Sequence, residues 1–380
     1  MNEQHTAARP IWISAGEASG DMHGAALMRG FAAAGARREF TGMGGPAMLA
    51  EGFDAEFGSH EVSLVGFTEV FAHLPRIVGL LGRVYKRLKQ VRPSAVVLVD
   101  APDFNFLVAR MARRLGIPAY YYISPQVWAW RKGRVNFLRD YVRKVLCILP
   151  FEQEFYRSHG AHADYVGHPL LDEIPLDRLD AMQPEPKRIG ILPGSRRREV
   201  ATLLPLFGQA AGMLYARDPE LRFTLVRAPG MDEALLRQHL PPELPVEIVG
   251  PAERYLHMRR CRLLLAASGT VTLETALIGT PTVVAYIVSP LTYALGRMLI
   301  DIPFFSLPNL IMGRQVIPEL LQAEATPERM VAEAEPWLRD EAAYAAVKAD
   351  LAGLREKCGA PGAAGRAAGI ILEDLRSLGR

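Results

Sequence analysis

The sequence contains few cysteines, and none of them are placed to work as a pair. Cys147, Cys261 and Cys358 lie far apart and form no CxxC motif. Such a set indicates neither a disulfide framework nor a zinc site. We therefore expect a cytoplasmic protein, because a reducing compartment keeps thiols free.

Long uninterrupted apolar runs are also missing. One of the most apolar stretches is broken by Arg297, Asp301 and Pro303, within the roughly 20 residues that a spanning helix requires. The first residues include Glu3 and Arg9 and lack the apolar core of a signal peptide. We therefore expect neither a membrane span nor a cleaved leader.

The chain carries little net charge. A formal charge of +3 over 380 residues is too small for a protein that binds nucleic acid through a dense basic face. A hydrophobic content of 49% and a mean hydropathy of +0.07 exclude a disordered chain. At roughly 150 residues per domain, this length predicts two lobes.

A repeated pattern of apolar run, polar loop and helix-length segment organises the sequence. Residues 11–14 form one such run, and a glycine loop and a helical pattern over 24–34 follow it. Runs without polar alternation are typical of strands covered on both faces, and hence of a mostly parallel sheet. Further runs occupy residues 95–100, 119–123 and 145–149, and then 188–192, 223–226, 246–249, 263–266 and 281–286.

These runs predict an α/β fold of two doubly wound, Rossmann-like lobes that face a central cleft. Residues 1–170 form the first lobe and residues 187–355 the second. The stretch 169–186 is rich in proline and aspartate and is the candidate linker. Residues 356–380 have a helical pattern, and we expect a C-terminal helix that can return to the first lobe.

In the first lobe, the loops that follow two predicted strands carry the candidate chemistry, because ligands of open parallel sheets bind beyond the carboxyl ends of the strands. Residues 16–21 form a glycine loop without the GxGxxG spacing, so a tight turn with a capping side chain is the alternative. Asp100 ends a later strand, and Asp103 and Asn105 follow it. One carboxylate either caps a helix or accepts the proton of an attacking hydroxyl. The sequence leaves open whether that residue is Asp100 or Asp103.

In the second lobe, residues 193–199 place a glycine turn, a hydroxyl and three arginines at a helix start. This is an anion site that fits a diphosphate, unless the arginines only pair with Glu199. Residues 268–270 follow another apolar run, and Glu274 lies about one turn into the next helix. Its carboxylate can accept both hydroxyls of a ribose, or it is an ordinary surface side chain.

An anion loop in one lobe and a carboxylate in the other indicate a two-lobed glycosyltransferase. Arginine and helix dipoles can neutralise a leaving diphosphate, so we expect no metal and no other cofactor. Two alternatives remain. One is a different UDP-sugar enzyme, such as a peptidoglycan-type transferase or an epimerase. The other is a non-catalytic lipid- or nucleotide-binding protein.

Eight short motifs then occur in a recognisable order along the chain. They are AGEASGDMHG (15–24), DAPDFN (100–105), SPQVWAWR (124–131), LPFEQEF (149–155), VGH (166–168), LPGSR (192–196), SGTVTLE (268–274) and SLPNL (306–310). Through these motifs the sequence resembles the lipid-A-disaccharide synthase family over nearly its whole length. One departure is Ile287, where many family members carry a basic residue.

The resemblance implies a reaction and a role for each matching residue. The family transfers 2,3-diacylglucosamine from UDP to the 6-hydroxyl of 2,3-diacylglucosamine 1-phosphate with inversion, giving the β-1,6 disaccharide phosphate of lipid A, a part of Gram-negative lipopolysaccharide. Asp100 matches the base, and Arg196 matches an arginine at the donor phosphates. The second lobe thus binds the UDP-sugar through Ser195, Arg196, Ser268, Gly269, Thr270, Glu274 and Asn309. The first lobe meets the acceptor through Glu17, Ser19, Asp21, Asp103 and Asn105.

Acylated substrates imply contact with a bilayer. The apolar residues Leu64, Val65, Phe67, Val70 and Phe71 precede the basic residues Arg83, Lys86 and Arg87. This order is typical of an interfacial segment, and the alternative is a core helix with a solvated basic face. The resemblance implies a peripheral protein on the cytoplasmic face of the inner membrane. The sequence does not determine the oligomeric state and allows a dimer.

Overall fold

A computed structural model describes residues 9–36, 38–63, 70–129, 133–299 and 302–380. The chain forms two compact units. The first comprises Met1–Pro169 and Ala360–Arg380, and the second comprises Leu170–Gly359.

The first unit is built on a seven-stranded parallel sheet with the strand order β3-β2-β1-β4-β5-β6-β7. Its central strand β4 is wholly buried, as expected of an apolar run covered on both faces. The strands are β1 (Ile11–Ala15), β2 (Phe40–Gly44), β3 (Asp54–Gly58), β4 (Ala95–Val99), β5 (Ala119–Tyr122), β6 (Lys144–Cys147) and β7 (Ala163–Tyr165).

Helices cover both faces of this sheet. One face packs against α1 and α18, and the other packs against helices that include α4 and α5. The contact of α1 with α18 is close, since a Cβ at Gly30 would lie 2.7 Å from the carbonyl oxygen of Ala364. The helices are α1 (Ala18–Ala33), α2 (Pro46–Ala50), α3 (His60–Ser63), α4 (Val70–Val91), α5 (Pro102–Arg114), α6 (Arg134–Tyr141), α7 (Glu152–Ser158) and α18 (Ala363–Ser377).

The second unit repeats this architecture around a six-stranded parallel sheet with the order β10-β9-β8-β11-β12-β13. Its strands are β8 (Glu185–Leu192), β9 (Arg222–Val226), β10 (Val246–Val249), β11 (Cys261–Ala267), β12 (Thr282–Tyr286) and β13 (Glu319–Leu321). Its helices are α8 (Leu170–Glu173), α9 (Leu176–Asp180), α10 (Arg197–Arg217), α11 (Glu233–Arg237), α12 (Arg254–Arg260), α13 (Thr270–Leu277), α14 (Pro290–Leu299), α15 (Leu307–Met312), α16 (Pro327–Arg339) and α17 (Glu341–Lys357). The prediction of two doubly wound parallel α/β lobes is confirmed.

The stretch 169–186 is not an open linker. It contains the one-turn helices α8 and α9, and β8 already begins at Glu185. Leu170, Leu171, Leu176 and Leu179 are buried there. Helices this short show no repeating period in the sequence, which is why composition alone suggested a linker.

Each sheet has a topological switch point. In the first unit the strand order reverses between β1 and β4, and in the second unit it reverses between β8 and β11. The loops after these strands diverge to opposite sides of the sheet and leave a crevice at its carboxyl edge. Residues 16–21 and Asp100 lie at the first switch point, and residues 193–199 and 268–270 lie at the second.

The apolar and basic segment of the first unit is described in part. Leu64, Val65 and Phe67 lie outside the described residues, and α4 begins with Val70 and Phe71. Further along α4, Leu80, Val84 and Leu88 join the core beneath the sheet. In the described part of the chain, no helix combines the length and the apolar character needed to cross a membrane.

Candidate active site

Asp100 lies on a strained turn at the first switch point. Asp100 has φ +51 and Ala101 has φ +44, so two consecutive residues with side chains adopt the left-handed region. Each such residue costs roughly 1–2 kcal/mol. The turn is held because the carbonyl oxygen of Asp100 accepts hydrogen bonds from Tyr121 Oη at 2.7 Å and Asn105 Nδ2 at 2.8 Å.

The structure brings Glu17 and Ser19 together with Asp100. Ser19 Oγ donates to Asp100 Oδ2 at 3.3 Å across the switch point. Shielding of the Glu17 carboxyl from water, and then the negative charge of Asp100, raise the pKa of Glu17. Asp100 itself is half-buried. Its carboxylate therefore lies near the surface, beside the acidic side chain of Glu17.

The other acceptor-side candidates, Asp103, Asp21 and Asn105, differ in exposure and in hydrogen-bond partners. Asp103 is 70% exposed and pairs with Arg134 at 2.8 Å. Asp21 is buried, and its two oxygens accept the backbone N–H groups of Gly45, Ala47 and Met48, so it caps α2. Asn105 is fully buried, and its amide bonds Ser14, Val99 and Asp100. Of these three residues, only Asp103 presents its carboxylate to solvent.

Two histidines that the sequence did not single out follow from Asp100 in turn: His23 lies near Asp100, and His168 lies near His23. Burial lowers the pKa of His23, and the charge of Asp100 partly opposes this effect. His168 is buried, and burial together with the neighbouring His23 lowers its pKa to about 4. Both histidines lie within motifs that carry the family resemblance. Near neutral pH, His168 is therefore an uncharged polar group beside His23.

In the second unit, residues 193–199 form an exposed cationic turn. Gly194 has φ +101, and a Cβ there would lie 2.1 Å from Glu199 Oε2. That Glu199 oxygen accepts the backbone N–H of Ser195 at 3.1 Å. The side chains of Arg196, Arg197 and Arg198 are exposed, and within the described residues none of them forms an ion pair. The pairing of these arginines with Glu199 is therefore not observed, and three cations remain available to an anion.

The neighbouring loop of the second unit lies beside this turn, because β8 and β11 pair in parallel with Leu192 opposite Ala266. Gly269 and Thr270 are exposed, and Ser268 is half-buried. Together the two loops line the carboxyl edge at the switch point, where a nucleotide-sized anion can reach both.

Glu274 lies one turn into α13. Its carboxyl is mostly buried, with Arg254 Nη2 3.7 Å from Oε1. Burial raises the pKa of Glu274, while Arg254 and Tyr255 oppose the shift. The pKa of Glu173 is raised by burial of its carboxyl and then by the charge of Glu274. This acidic pair, with one arginine beside it, suits recognition of sugar hydroxyls.

Asn309 has a scaffolding role. It is fully buried, its Nδ2 donates to Glu319 Oε1 at 2.7 Å, and its Oδ1 accepts the N–H groups of Val316 and Ile317. Glu319 also accepts the backbone N–H groups of Phe305 and Ser306. The motif at 306–310 thus anchors α15 to β13. Beyond β12, next to Ile287, the Gln322 side-chain amide accepts from the backbone N–H of Val288 and donates to the carbonyl oxygen of Val288.

Within the part of the chain that the structure describes, no group of three or more His, Cys, Asp or Glu side chains is arranged to hold a metal ion. Cys147, Cys261 and Cys358, all within the described residues, are buried, and no disulfide bond joins them.

Several solved structures share this fold. The glycotransferase of kitacinnamycin has a TM-score of 0.66 at 18% sequence identity, covering 96% of this chain and 99% of that chain. The UDP-GlcNAc 2-epimerase from Neisseria meningitidis, bound to UDP-GlcNAc, has a TM-score of 0.58 at 11% identity, covering 97% and 99%. At these identities the likeness shows only the fold. The class is the GT-B fold, which serves transferases and epimerases alike.

The sequence comparisons identify one family within that class. The family model described as Lipid-A-disaccharide synthetase matches residues 11–360. The lipid-A-disaccharide synthase of Geobacter metallireducens is 40% identical over 376 residues, covering 96% of this chain and 97% of the relative. The chain belongs to the lipid-A-disaccharide synthase family and is a glycosyltransferase. The resemblance that its motifs suggested is confirmed.

Burial of His168 predicts a specific pH dependence of stability. Its pKa of about 4 in the folded state lies below the ordinary value near 6.5, so the unfolded chain takes up the proton first. The stabilisation is complete above about pH 6.5 and is lost as the pH falls towards 4. The total loss is about 3 kcal/mol. Between pH 6.5 and 4, we expect the free energy of unfolding of His168→Gln to fall by about 3 kcal/mol less than that of the wild type. Urea unfolding at several pH values measures this.

The matched control is His159→Gln, which removes an exposed histidine and keeps His168, so the fall in stability between pH 6.5 and 4 should remain. A His168→Gln protein whose stability falls with acid as steeply as the wild type would contradict the assignment.

Proposed function

We propose that the enzyme transfers 2,3-diacylglucosamine from UDP to the 6-hydroxyl of 2,3-diacylglucosamine 1-phosphate, forming a β-1,6-linked disaccharide phosphate and UDP. Family membership supports a nucleotide-sugar donor and a lipid-linked sugar acceptor. The observation that carries the proposal is the Asp100 carboxylate, held on a strained turn at a switch point with Ser19 against one of its oxygens.

The proposed chemistry is a single displacement. The acceptor oxygen attacks the anomeric carbon as the bond from that carbon to the UDP oxygen breaks, which inverts the configuration. The hydroxyl proton passes to Asp100, acting as general base. Negative charge that develops on the leaving diphosphate is stabilised by Arg196 and the N-terminus of α10.

The two units have different roles in this reaction. The first unit activates the acceptor, and the second unit binds the donor through the cationic turn, residues 268–270 and Glu274. We propose that no metal and no other cofactor takes part, because the three unpaired arginines supply the positive charge that a divalent ion would otherwise provide. UDP-sugar is then a substrate only.

An assay with both substrates in the presence of EDTA tests the reaction. We expect the wild type to form disaccharide phosphate and UDP without added metal, detected by mass spectrometry. Asp100→Asn should lower kcat by about 10²–10⁴-fold, the range for loss of a general base, with little change in the KM for the donor. An epimerase would convert UDP-sugar without the acceptor, and a binding protein would release no UDP.

Asp103→Asn is the matched comparison for the base, because Asp103 lies on the same loop but is exposed and paired with Arg134. A larger loss of kcat in this variant than in Asp100→Asn would transfer the role of base to Asp103. If Asp100→Asn kept the wild-type kcat, Asp100 would not be the general base.

We also propose that the enzyme binds peripherally to the cytoplasmic face of the inner membrane, where acylated substrates reside. Helix α4 supports this, since Val78 is 60% exposed and Tyr85 is 37% exposed on the same side of the helix. Lys86 and Lys89 are exposed nearby. Arg83 and Arg87, by contrast, are paired with Glu61 and Glu56, so we assign the headgroup contact to the two lysines.

Replacing both lysines with serine should weaken binding to anionic vesicles. At about 1 kcal/mol for each basic residue near the surface, the Lys86→Ser and Lys89→Ser double variant should bind roughly thirtyfold more weakly. Sedimentation with phosphatidylglycerol vesicles at low salt measures this. The control removes two positive charges elsewhere, with Lys357→Ser and Arg376→Ser. Equal binding by the wild type and the α4 variant would refute the proposed contact.

A further inference from the structure

The backbone at Asp100 has a conformation that its own sequence disfavours. Asp100 and Ala101 both have positive φ, although neither is a glycine. For residues with a Cβ, this region persists only when surrounding groups hold the chain in it. Something beside the turn must therefore stabilise it.

The Tyr121 hydroxyl is in position to do so. Tyr121 lies on β5, which pairs with β4, and its Oη donates to the carbonyl oxygen of Asp100 at 2.7 Å. The side chain is fully buried, and Phe106 packs edge-on against its ring with centroids 6.2 Å apart. A hydroxyl buried this deeply requires a protein partner. The bond thus constrains the orientation of the peptide group between Asp100 and Ala101.

We propose that Tyr121 is a positioning residue for the reaction. Its hydroxyl holds the peptide group after Asp100, and this sets the direction in which the carboxylate leaves the sheet. Asn105 Nδ2 donates to the same carbonyl oxygen of Asp100 at 2.8 Å, but the Asn105 amide also joins the ends of β1 and β4. Tyr121, in contrast, bonds the turn through its hydroxyl alone. The inference rests on the proposed role of Asp100 as base.

The test compares Tyr121→Phe with Tyr120→Phe. Each variant loses one buried hydroxyl from the same strand. Tyr120 faces the opposite side of the sheet, and its Oη donates to Asp374 at 2.6 Å, away from Asp100. We expect Tyr121→Phe to lower kcat about tenfold or more, the factor that corresponds to about 1.4 kcal/mol of lost constraint. The KM for the UDP-sugar should stay within about twofold of the wild type, since α10 and α13 are untouched. Tyr120→Phe should keep the wild-type kcat.

A second substitution separates positioning from a merely structural role. Glycine adopts positive φ without the penalty that alanine incurs. Ala101→Gly in the Tyr121→Phe protein should therefore recover most of the lost kcat. The proposal would be overturned if Ala101→Gly failed to restore kcat. It would also be overturned if Tyr121→Phe kept the wild-type kcat, or if Tyr120→Phe lost as much kcat as Tyr121→Phe.

A crystal structure of the Tyr121→Phe variant gives a readout independent of activity. We expect φ of Asp100 to leave the left-handed region, and an unchanged turn would overturn the inference. If the wild type formed no disaccharide but the turn relaxed as expected, the proposed reaction would fail while the structural role of Tyr121 would stand.

Discussion

The hydrogen bonds of the Asn105 side chain hold together the site around Asp100, at the switch point of the first unit. Its Oδ1 accepts from Ser14 Oγ at 2.7 Å, and its Nδ2 donates to carbonyl oxygens of Ser14, Val99 and Asp100. These bonds join the ends of β1 and β4 at the point where the sheet changes direction. Because the amide is fully buried, losing one partner would leave polar groups unsatisfied, at a cost of about 1–3 kcal/mol each. The position of the Asp100 turn depends on this crosslink.

The second unit also contains a buried asparagine amide that crosslinks two segments. Asn309 is buried and crosslinks α15 to the segment before β13, with Glu319 as its charged partner. In both units a buried amide provides the rigid frame, and the groups available to a ligand lie on loops beside it. The electrostatics of those loops differ in sign. Glu17 adds a second carboxyl beside Asp100, whereas unpaired arginines follow Ser195, and cations of this kind suit diphosphate binding.

Much of the fold could be predicted from the sequence, because strands such as β4 are continuous apolar runs that only a covered parallel sheet accommodates. Strand β2 was missed because it reads FTGMG and glycine weakens a strand pattern, and β7 and β13 were missed because three residues show no period. At the sites, the loops with Asp100 and Arg196 could be found from their position after strands. The scaffolding roles of Asp21, Asn105 and Asn309 could not, since their partners are distant in sequence. The one available signal for Tyr121 was a hydroxyl in a wholly buried strand, which must find a bonding partner, and Tyr120 and Tyr122 of the same strand carry that signal too.

The proposed reaction requires that the UDP-sugar donor binds at the switch point of the second unit. Hydrogen–deuterium exchange with and without UDP, resolved by mass spectrometry, measures this directly. UDP should slow exchange at the amides of residues 194–199 and 268–272, because phosphate and ribose oxygens would bond or cover them. Exchange at residues 100–105 should change little. Protection confined to residues 16–21 and 100–105, with none at the cationic turn, would contradict the assignment of donor and acceptor sides.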